Sequence, residues 1–596
     1  MQHTPYRNQA FSKLQKIFVE SCIELCDPKS LDSYRARVAG PIYILEELYK
    51  LVDDWKKGKI KSFETLAACR DETILILKED NCVNYGRVSK TAFIEILNSL
   101  KDQKDNLENN LPKAEYYIYY ILTVNKDYIK STLESIKSII SDSYATIEDE
   151  NKAACALVSR TGFLITEIIN FGFTKGFIIR LIRGIFVFNS GGSFEDCWAA
   201  FYGRILSQDK ENYSVIFKGY ILESLLDDIN IPTLKGEVME EEVAKVDVLK
   251  GIGKYRKFLQ SAVNQRFMVK TVTALDHYQA LKIAKSELGT MLDLMHLGYC
   301  NLKIDLRESA LVINHNSPER ADFQTIHFQA DDVFTSNDTL YNNLSVKLAN
   351  IESKPFIAQE VVAKIESAIR YLRAGSEAVE LEQKFLNYWI GLENIFSTHD
   401  INAKTFLRIR THLSTAHAVS YARRNLHDFH KSLKRMNARQ YLPAFNDDLV
   451  YLMDVNTYDL VIAKSAEQPF LALRAQTLKD SYFGSSKHCE ETIKKHKLNV
   501  ERHLTRMYKI RNELVHNAAT FQKIENITSN LRYYLVFVLN KLIEYFDGCQ
   551  QKAISDRFID INDFFLFQEA VLRPIEEKGY LLEDLLRTPH PVEFIV

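Results

Sequence analysis

Leu504-Thr505-Arg506-Met507-Tyr508-Lys509-Ile510-Arg511-Asn512-Glu513-Leu514-Val515-His516-Asn517 is the stretch on which the fold turns. At about 100° per residue, Met507, Ile510, Leu514 and Ala518 share one apolar face. Thr505, Lys509, Asn512 and His516 form a separate polar stripe. Arg511 stands at its border, about 140° from His516, and its long side chain can swing toward it. The apolar face predicts a helix seated in a bundle core. The other face offers an imidazole, a guanidinium and an amide on an exposed surface, a combination that packing does not require.

Around this stretch, breakers almost vanish. Between residues 381 and 550 stand only Gly391, Gly484, Gly548, Pro443 and Pro469. An antiparallel helical bundle is expected, with linkers near those residues. The span holds 24 Lys and Arg against 17 Asp and Glu, a net of about +7. The whole chain is −2, so the remainder is about −9. That acidic remainder could shield a basic cleft. Nine of the 15 histidines fall between His399 and His516. Lys404, Arg408, Arg410, Arg423, Arg424, Lys431, Lys434, Arg435 and Arg439 share one run with a single acid, Asp428. Tyr421 and Phe429 interleave with them. A second basic run extends from Lys487 to Arg511 and includes Arg502 and Arg506. Such runs suit a phosphate backbone, with aromatics for base stacking, and they equally describe solvated helix faces. Arg502, Arg506, Arg423, Arg424, Lys434 and Arg435 are the candidate nucleic-acid contacts.

Metal-ligand patterns are incomplete. His412 and His417 are five apart and His427 and His430 three apart, but neither pair has an identifiable further ligand. His503 falls on the apolar side of the wheel and reads as a satisfied core histidine. Gly251-x-Gly253 lacks a following Gly and a preceding strand, so it is not a nucleotide loop. The nine cysteines form no CxxC pair and read as small buried hydrophobes in a reducing compartment. No metal and no cofactor is expected.

At 596 residues the chain exceeds one compact core. Its 46% hydrophobic and 26% charged residues are ordinary globular values. Met1 to Ala10 is polar and shows no signal peptide. The most apolar stretch, Thr161 to Phe188, is interrupted by Glu167, Lys175, Arg180 and Arg183 and reads as core. A cytoplasmic protein without membrane contact is expected.

Ile44, Leu45, Leu48, Leu51 and Val52 mark one face of a helix, whereas Tyr116 to Leu122 fits strand or helix equally. Residues 240 to 300 look helical. Short strand-like runs follow at Lys303–Leu306, Ala310–Ile313 and Thr325–Phe328. The expected fold is mainly α: an N-terminal regulatory or sensor region over 1–240, helical or mixed α/β; a helix-plus-short-strand connector over 241–355; the bundle over 356–550; and a docking tail over 551–596. Within the first region, Ser141-Asp142-Ser143, Arg183-Gly184-Ile185 and Gly219-Tyr220-Ile221-Leu222-Glu223-Ser224 faintly resemble the strand, hairpin and helix motifs of class III nucleotide-cyclase-like domains. The metal-binding aspartates of such enzymes are missing, so that resemblance implies a degenerate, sensing domain.

The bundle carries a more specific resemblance. Tyr508-x-x-Arg511-Asn512-x-Leu514-Val515-His516 is similar to the R-x4-6-H signature of HEPN ribonucleases. Upstream, Ala368-Ile369-Arg370-Tyr371-Leu372-Arg373-Ala374 and then Lys384-Phe385-Leu386-Asn387-Tyr388-Trp389-Ile390-Gly391-Leu392-Glu393-Asn394-Ile395-Phe396 resemble the opening of the ApeA-like HEPN branch. Gly391 departs from the usual Ala of that pattern. The wide spacing between the blocks implies an insertion within the bundle. Together they cover about a third of the chain; residues 1–355 lie outside the resemblance.

The resemblance implies RNA cleavage without a metal, by attack of the ribose 2′-OH on the adjacent phosphate. It assigns catalysis to Arg511, Asn512 and His516. Glu393 would hold Arg511 or a neighbouring amide, or else pair helices as a buried carboxylate. Lys509 and Tyr508 would support the site, or simply pack. The implied partners are RNA (tRNA or mRNA), a second copy of the chain joined through the bundle, and a phage-derived trigger, as in abortive infection. Two other readings stay open: a non-catalytic RNA- or nucleotide-binding module, and a helical interaction scaffold.

Overall fold

The computed structural model describes residues 11–27, 39–60, 63–101, 104–189, 192–207, 209–221, 234–243, 245–260, 264–298, 304–318, 321–325, 338–378, 380–398, 404–446, 449–517, 524–550 and 557–578. It is mainly helical, with a small antiparallel sheet in the middle of the chain. Two compact units emerge, residues 1–167 together with 330–596, and residues 168–329.

The N-terminal part of the first unit comprises α1 (Lys13–Cys26), α2 (Pro41–Lys56), α3 (Phe63–Glu79), α4 (Lys90–Asn98), α5 (Lys104–Val124), α6 (Tyr128–Ser141) and α7 (Ile147–Phe171). The division between units falls inside α7. Ser12 and Gln15 form a capping box that starts α1. The apolar stripe of α2, from Ile44 to Val52, is buried as its spacing requires. Its N-terminus is capped from a distance: the Glu167 carboxylate accepts from the backbone amides of Ile42 (2.9 Å) and Tyr43 (3.3 Å). A side chain at Gly40 would put its Cβ 2.1 Å from Glu167 Oε1, so only glycine admits this approach. Tyr116 to Leu122 is helical; Ala114, Ile118 and Ile121 take the buried face, and Tyr116 and Tyr119 are exposed. Among the described residues α7 is long and apolar enough to cross a membrane by length and composition, and half of its most apolar window is buried within the protein.

The second unit holds α8 (Lys175–Ile182), α9 (Phe194–Ser207), β1 (Glu211–Ile221), α10 (Val246–Gly251), α11 (Gly253–Leu259), β2 (Gln265–Ala274), α12 (His277–Gly298), β3 (Ile304–Leu306), β4 (Ser309–Asn314) and β5 (Asp322–Thr325). The strands run in the order β2-β1-β4-β5, with β3 also paired to β1, all antiparallel. Ala280, Leu281, Ala284 and Leu288 of α12 cover one face through Val215, Phe217 and Met268. Leu249, Tyr255 and Phe258 cover the other through Ile216, Phe267 and Leu311.

This sheet corrects several expectations. A boundary at 240 would separate β1 from β2, which pair from Glu211 with Ala274 to Tyr220 with Gln265. Residues 265–274, expected as helix, form a strand rich in β-branched Val269, Thr271, Val272 and Thr273. Residues 241–355 are therefore not a separate connector. Ser141 closes α6 and Asp142 caps it, so these residues are not on a strand. Arg183 to Ile185 lie in a π-helical turn, not a hairpin. Gly219 to Ile221 end β1, and Leu222 to Ser224 lie outside the described residues. Ser141–Asp142 and Arg183–Ile185 thus do not sit on the strand and hairpin that resemblance implies.

The chain then returns to the first unit with α13 (Asp338–Glu352), α14 (Gln359–Glu377), α15 (Leu381–Phe396), α16 (Thr405–Arg408), α17 (Ser414–Val419), α18 (Tyr421–Arg435), α19 (Val455–Lys464), α20 (Pro469–Phe483), α21 (Ser486–Asn517), α22 (Glu525–Gly548) and α23 (Ile561–Lys578). A π-helical turn, Ile409–Leu413, joins α16 to α17. One core unites Ile365, Trp389, Phe396, Leu504, Met507, Leu535 and Phe546. Gly391 marks a close approach of α15 and α22: an added Cβ would stand 2.9 Å from Leu535 Cδ2. Phe564 and Phe565 of α23 belong to the same core, and Phe565 stacks on Phe396 with ring centroids 5.0 Å apart. The segment from Ile561 to Lys578 thus packs on the bundle, as a docking tail is expected to; residues 579–596 lie outside the described set. The N-terminal 167 residues share this unit too, which the sequence boundaries do not anticipate.

Candidate functional site

No Gly or Pro interrupts α21 across its 32 residues. Met507, Ile510 and Leu514 are buried in the bundle core, as the helical wheel requires; Ala518 lies outside the described residues. The polar stripe differs from expectation. Thr505 and Lys509 are half-buried and line a small cleft with Glu47 and Leu51 of α2 and Cys69 and Glu72 of α3. A helical wheel shows which face is polar, not whether a second layer of charged helices covers it.

The two distant blocks of the bundle meet at one contact. Arg511 Nη2 lies 3.4 Å from Glu393 Oε1 on α15, and both side chains retain exposure, 26% and 29%. Arg511 Nη1 donates to Asn512 Oδ1 at 3.2 Å. Glu393 therefore holds Arg511 and is not a fully buried helix-pairing acid. His516 lies in the last turn of α21, and its side chain is outside the described residues. Glu513 stands between Lys50 of α2, at 3.3 Å, and Lys509, at 3.8 Å. A partly exposed guanidinium oriented by a carboxylate, with an amide beside it, has the chemistry to accept an oxyanion.

Other candidates are placed differently. Tyr508 stacks on Phe406 (centroids 4.0 Å apart, planes 9° apart) and leans on Trp389. Its ring faces are already engaged by packing, so it supports the fold rather than a base. Arg506 is 7% exposed and held by Glu47 Oε2 at 2.9 Å and Glu72 Oε2 at 2.7 Å. Burial opposes its charge, and the two carboxylates more than offset that, raising its pKa further. Arg506 is an internal clamp, not an RNA contact. Arg424 turns inward, its guanidinium on the His417 ring (2.8 and 3.0 Å), on the Tyr533 hydroxyl and over the Phe537 ring. Arg502 is half-buried in the wall of a cavity. Arg423, Lys434 and Arg435 are exposed on α18. The candidate contacts thus do not form one continuous strip.

The histidines also find separate partners. His412 Nδ1 is 3.1 Å from Glu569, His417 Nδ1 is 2.8 Å from His496 Nε2, and His430 Nδ1 is 2.9 Å from the Tyr451 hydroxyl. Burial, reinforced by Arg424, holds His417 well below the usual imidazole range. His503 is core, as expected, but only half satisfied: Nδ1 meets the Tyr534 hydroxyl at 3.0 Å and Nε2 has no partner among the described residues. Of the cysteines, Cys155 is exposed and Cys82 half-buried, against the buried reading; Cys300 lies outside the described residues.

Sequence reading missed Lys50, Glu47 and Glu72. The Ile44 to Val52 stripe defines the buried face of α2, but no local pattern says that Glu47 and Glu72 will converge on a guanidinium more than 400 residues away. Comparison of the chain with protein-family models, with curated proteins and with solved structures returns no match.

Proposed function

We propose that this chain is an endoribonuclease of the HEPN type, with α14, α15, α21 and α22 as the core of its bundle, acting as a regulated effector of anti-phage defence. The observation that supports the reading is the Arg511–Glu393 contact. It joins the two blocks whose order in the sequence carries the resemblance, and it leaves the guanidinium accessible.

In this reading the ribose 2′-oxygen attacks the neighbouring phosphorus. His516 takes the 2′-OH proton; an imidazole with ordinary pKa near 6.5 is suited to this at neutral pH. The bond from phosphorus to the 5′-oxygen breaks, that oxygen gains a proton, and the products are a 2′,3′-cyclic phosphate and a 5′-OH. Arg511 stabilises the charge growing on the phosphorane, and Asn512 orients the phosphate. A second copy of α21, related by two-fold symmetry, completes the cleft. Glu47, Glu72 and Glu79 neutralise Arg506 and Lys495 on α21, which supports a restraining role for the N-terminal helices.

The test is incubation of the full chain with total cellular RNA, with and without phage lysate and with and without EDTA, followed by mapping of the cut ends. Cyclic phosphate and 5′-OH ends that persist in EDTA are expected. Cuts leaving 5′-phosphate ends, or cuts lost in EDTA, overturn the mechanism; intact RNA in every arm overturns the activity.

A further inference from the structure

The basic residues of the bundle divide by direction. Arg424 and Arg506 turn inward, whereas Arg423, Lys434 and Arg435 are exposed on α18, and His427 and Lys431 are exposed with them. At 100° per residue these five side chains fall within about 120° of one another, along about 18 Å of helix. Arg423, His427, Lys431 and Arg435 follow at four-residue steps, about 6 Å apart. Arg439, in the short turn after α18, is exposed as well. We propose that this face of α18 anchors the phosphate backbone of an RNA substrate, remote from Arg511 and without reading base sequence. The proposal rests on the ribonuclease reading and adds to it where the substrate is held away from the point of cleavage.

Packing accounts for only one side of α18. Ala422, Leu426, Phe429 and Leu433 are buried and would accept any mixture of polar residues on the opposite face. On other helices an exposed cation is answered by an acid one turn away: Lys152 by Glu148 on α7, Arg373 by Glu377 on α14 and Lys494 by Glu490 on α21. α18 departs from that pattern. Its one acid, Asp428, has a side chain 18% exposed and turned to Arg474 at 3.3 Å. Like charges one turn apart destabilise a helix, and a polyanion laid along them reverses that effect.

Cations repeated at a fixed step along a rigid helix fit a polymer with one negative charge per repeat, and the guanidinium forks of Arg423 and Arg435 suit phosphate oxygens. An anionic membrane fits less well. A helix that lies on a membrane inserts its apolar face, and the apolar face of α18 is spent inside the protein, with none of its large hydrophobic side chains exposed. The aromatic residues interleaved with the cations are engaged elsewhere: the Phe429 ring stacks on Tyr458 with centroids 5.8 Å apart, and Tyr421 stacks on His496 at 3.7 Å. The exposed face therefore offers charge for a backbone and no ring for a base.

The start of the stripe is placed relative to Arg511 by α21. Arg424, next to Arg423, lies on His417, and His417 meets His496 of α21 at 2.8 Å. His496 precedes Arg511 on that helix by about four turns, or about 22 Å. A strand held at both places must cover several nucleotides, so the surface favours long RNA over short fragments.

Fluorescence anisotropy of the full chain with a labelled 2′-O-methyl oligoribonucleotide, long enough to reach from α18 to Arg511, tests this. Its riboses lack the attacking hydroxyl, so binding is read without cleavage. Two unrelated sequences should bind alike. Lys431→Gln/Lys434→Gln should weaken binding about tenfold or more and flatten the slope of log K against log salt by about 1.4, at about 0.7 for each lost backbone contact. Its melting temperature and circular dichroism should not change, because both lysines are exposed. Lys57→Gln/Lys113→Gln, the same loss of charge at exposed positions of the N-terminal helices, should bind like the parent. Unchanged affinity in a folded Lys431→Gln/Lys434→Gln protein overturns the proposal, as does an equal loss in Lys57→Gln/Lys113→Gln. Equal binding of poly-glutamate or of phosphatidylserine vesicles through the same two lysines overturns the assignment to a nucleic-acid backbone. Intact cellular RNA together with binding that depends on Lys431 and Lys434 removes the cleavage and keeps the surface; cut RNA with binding that ignores them removes the surface and keeps the cleavage.

Discussion

Arg506→Met removes the guanidinium that joins α2 and α3 to α21. In the parent, Nε and Nη2 meet Glu47 and Glu72 at 2.9 and 2.7 Å, with the Arg506 side chain 6% exposed. Two unit charges 4 Å apart attract by about 4 kcal/mol at an effective dielectric of about 20, and desolvation cancels much of that. Net stabilisation by the triad is therefore modest. Breaking it is not, because Glu47 and Glu72 would then face each other without a cation. Losing one partner of a buried pair costs about 3–5 kcal/mol. Arg506→Met should therefore lower the unfolding free energy by that amount. The triple variant Arg506→Met/Glu47→Gln/Glu72→Gln should recover most of it, since no buried charge remains. Urea denaturation followed by tyrosine and tryptophan fluorescence gives the midpoint. Hydrogen exchange of α2 and α3 shows whether these helices open first. An Arg506→Met protein within about 0.5 kcal/mol of the parent, the range of ordinary surface changes, would refute the reasoning. So would a triple variant no more stable than the single one.

Glu167 is pushed up to about 7 by burial, against a usual value of 4.5. The folded state then binds more protons than the unfolded state between those values. Its contribution is complete below about pH 4.5 and fades as pH rises through 7. Glu167→Gln keeps the oxygen that caps α2 and should gain about 3 kcal/mol on the parent between pH 5 and pH 8; a stability difference that does not change with pH contradicts this. At Gly375 an added Cβ would stand 2.4 Å from Tyr388 Cε1. Alanine there gains about 1 kcal/mol of helix propensity and loses about 1–3 kcal/mol to overpacking, so Gly375→Ala should lower the melting temperature, and a rise would show that Tyr388 yields freely. Glu393→Gln should change stability by less than about 1 kcal/mol, because the pair is partly solvated, while RNA cleavage falls about 10- to 100-fold through loss of Arg511 orientation. Undiminished cleavage in that variant removes Glu393 from the site.

Local periodicity carried much of the fold. The stripes of α2 and α21 and the scarcity of breakers beyond residue 381 each translate directly into helices with those faces buried. The run from Ala310 to Ile313 translates into β4. What local pattern does not encode is which element answers which. β1 and β2 lie more than 40 residues apart, and their pairing could not be read from either strand alone. The polar stripe of α21 looked like open surface because nothing near Lys509 announces that Glu47 and Glu72 will cover it. Basic runs on α18 and α21 gave charge but not direction: Arg423 points outward, while Arg424 next to it is held on His417 and Tyr533. The Arg511–Glu393 contact was legible only through motif resemblance, which supplied a long-range pairing that spacing cannot.

His516→Ala is the decisive variant. The folded protein should keep its melting temperature and circular dichroism, and RNA cleavage should fall by at least about 10²-fold, the lower end of what a general acid or base supplies. Cleavage at the parent's rate by a folded His516→Ala protein would contradict the ribonuclease assignment.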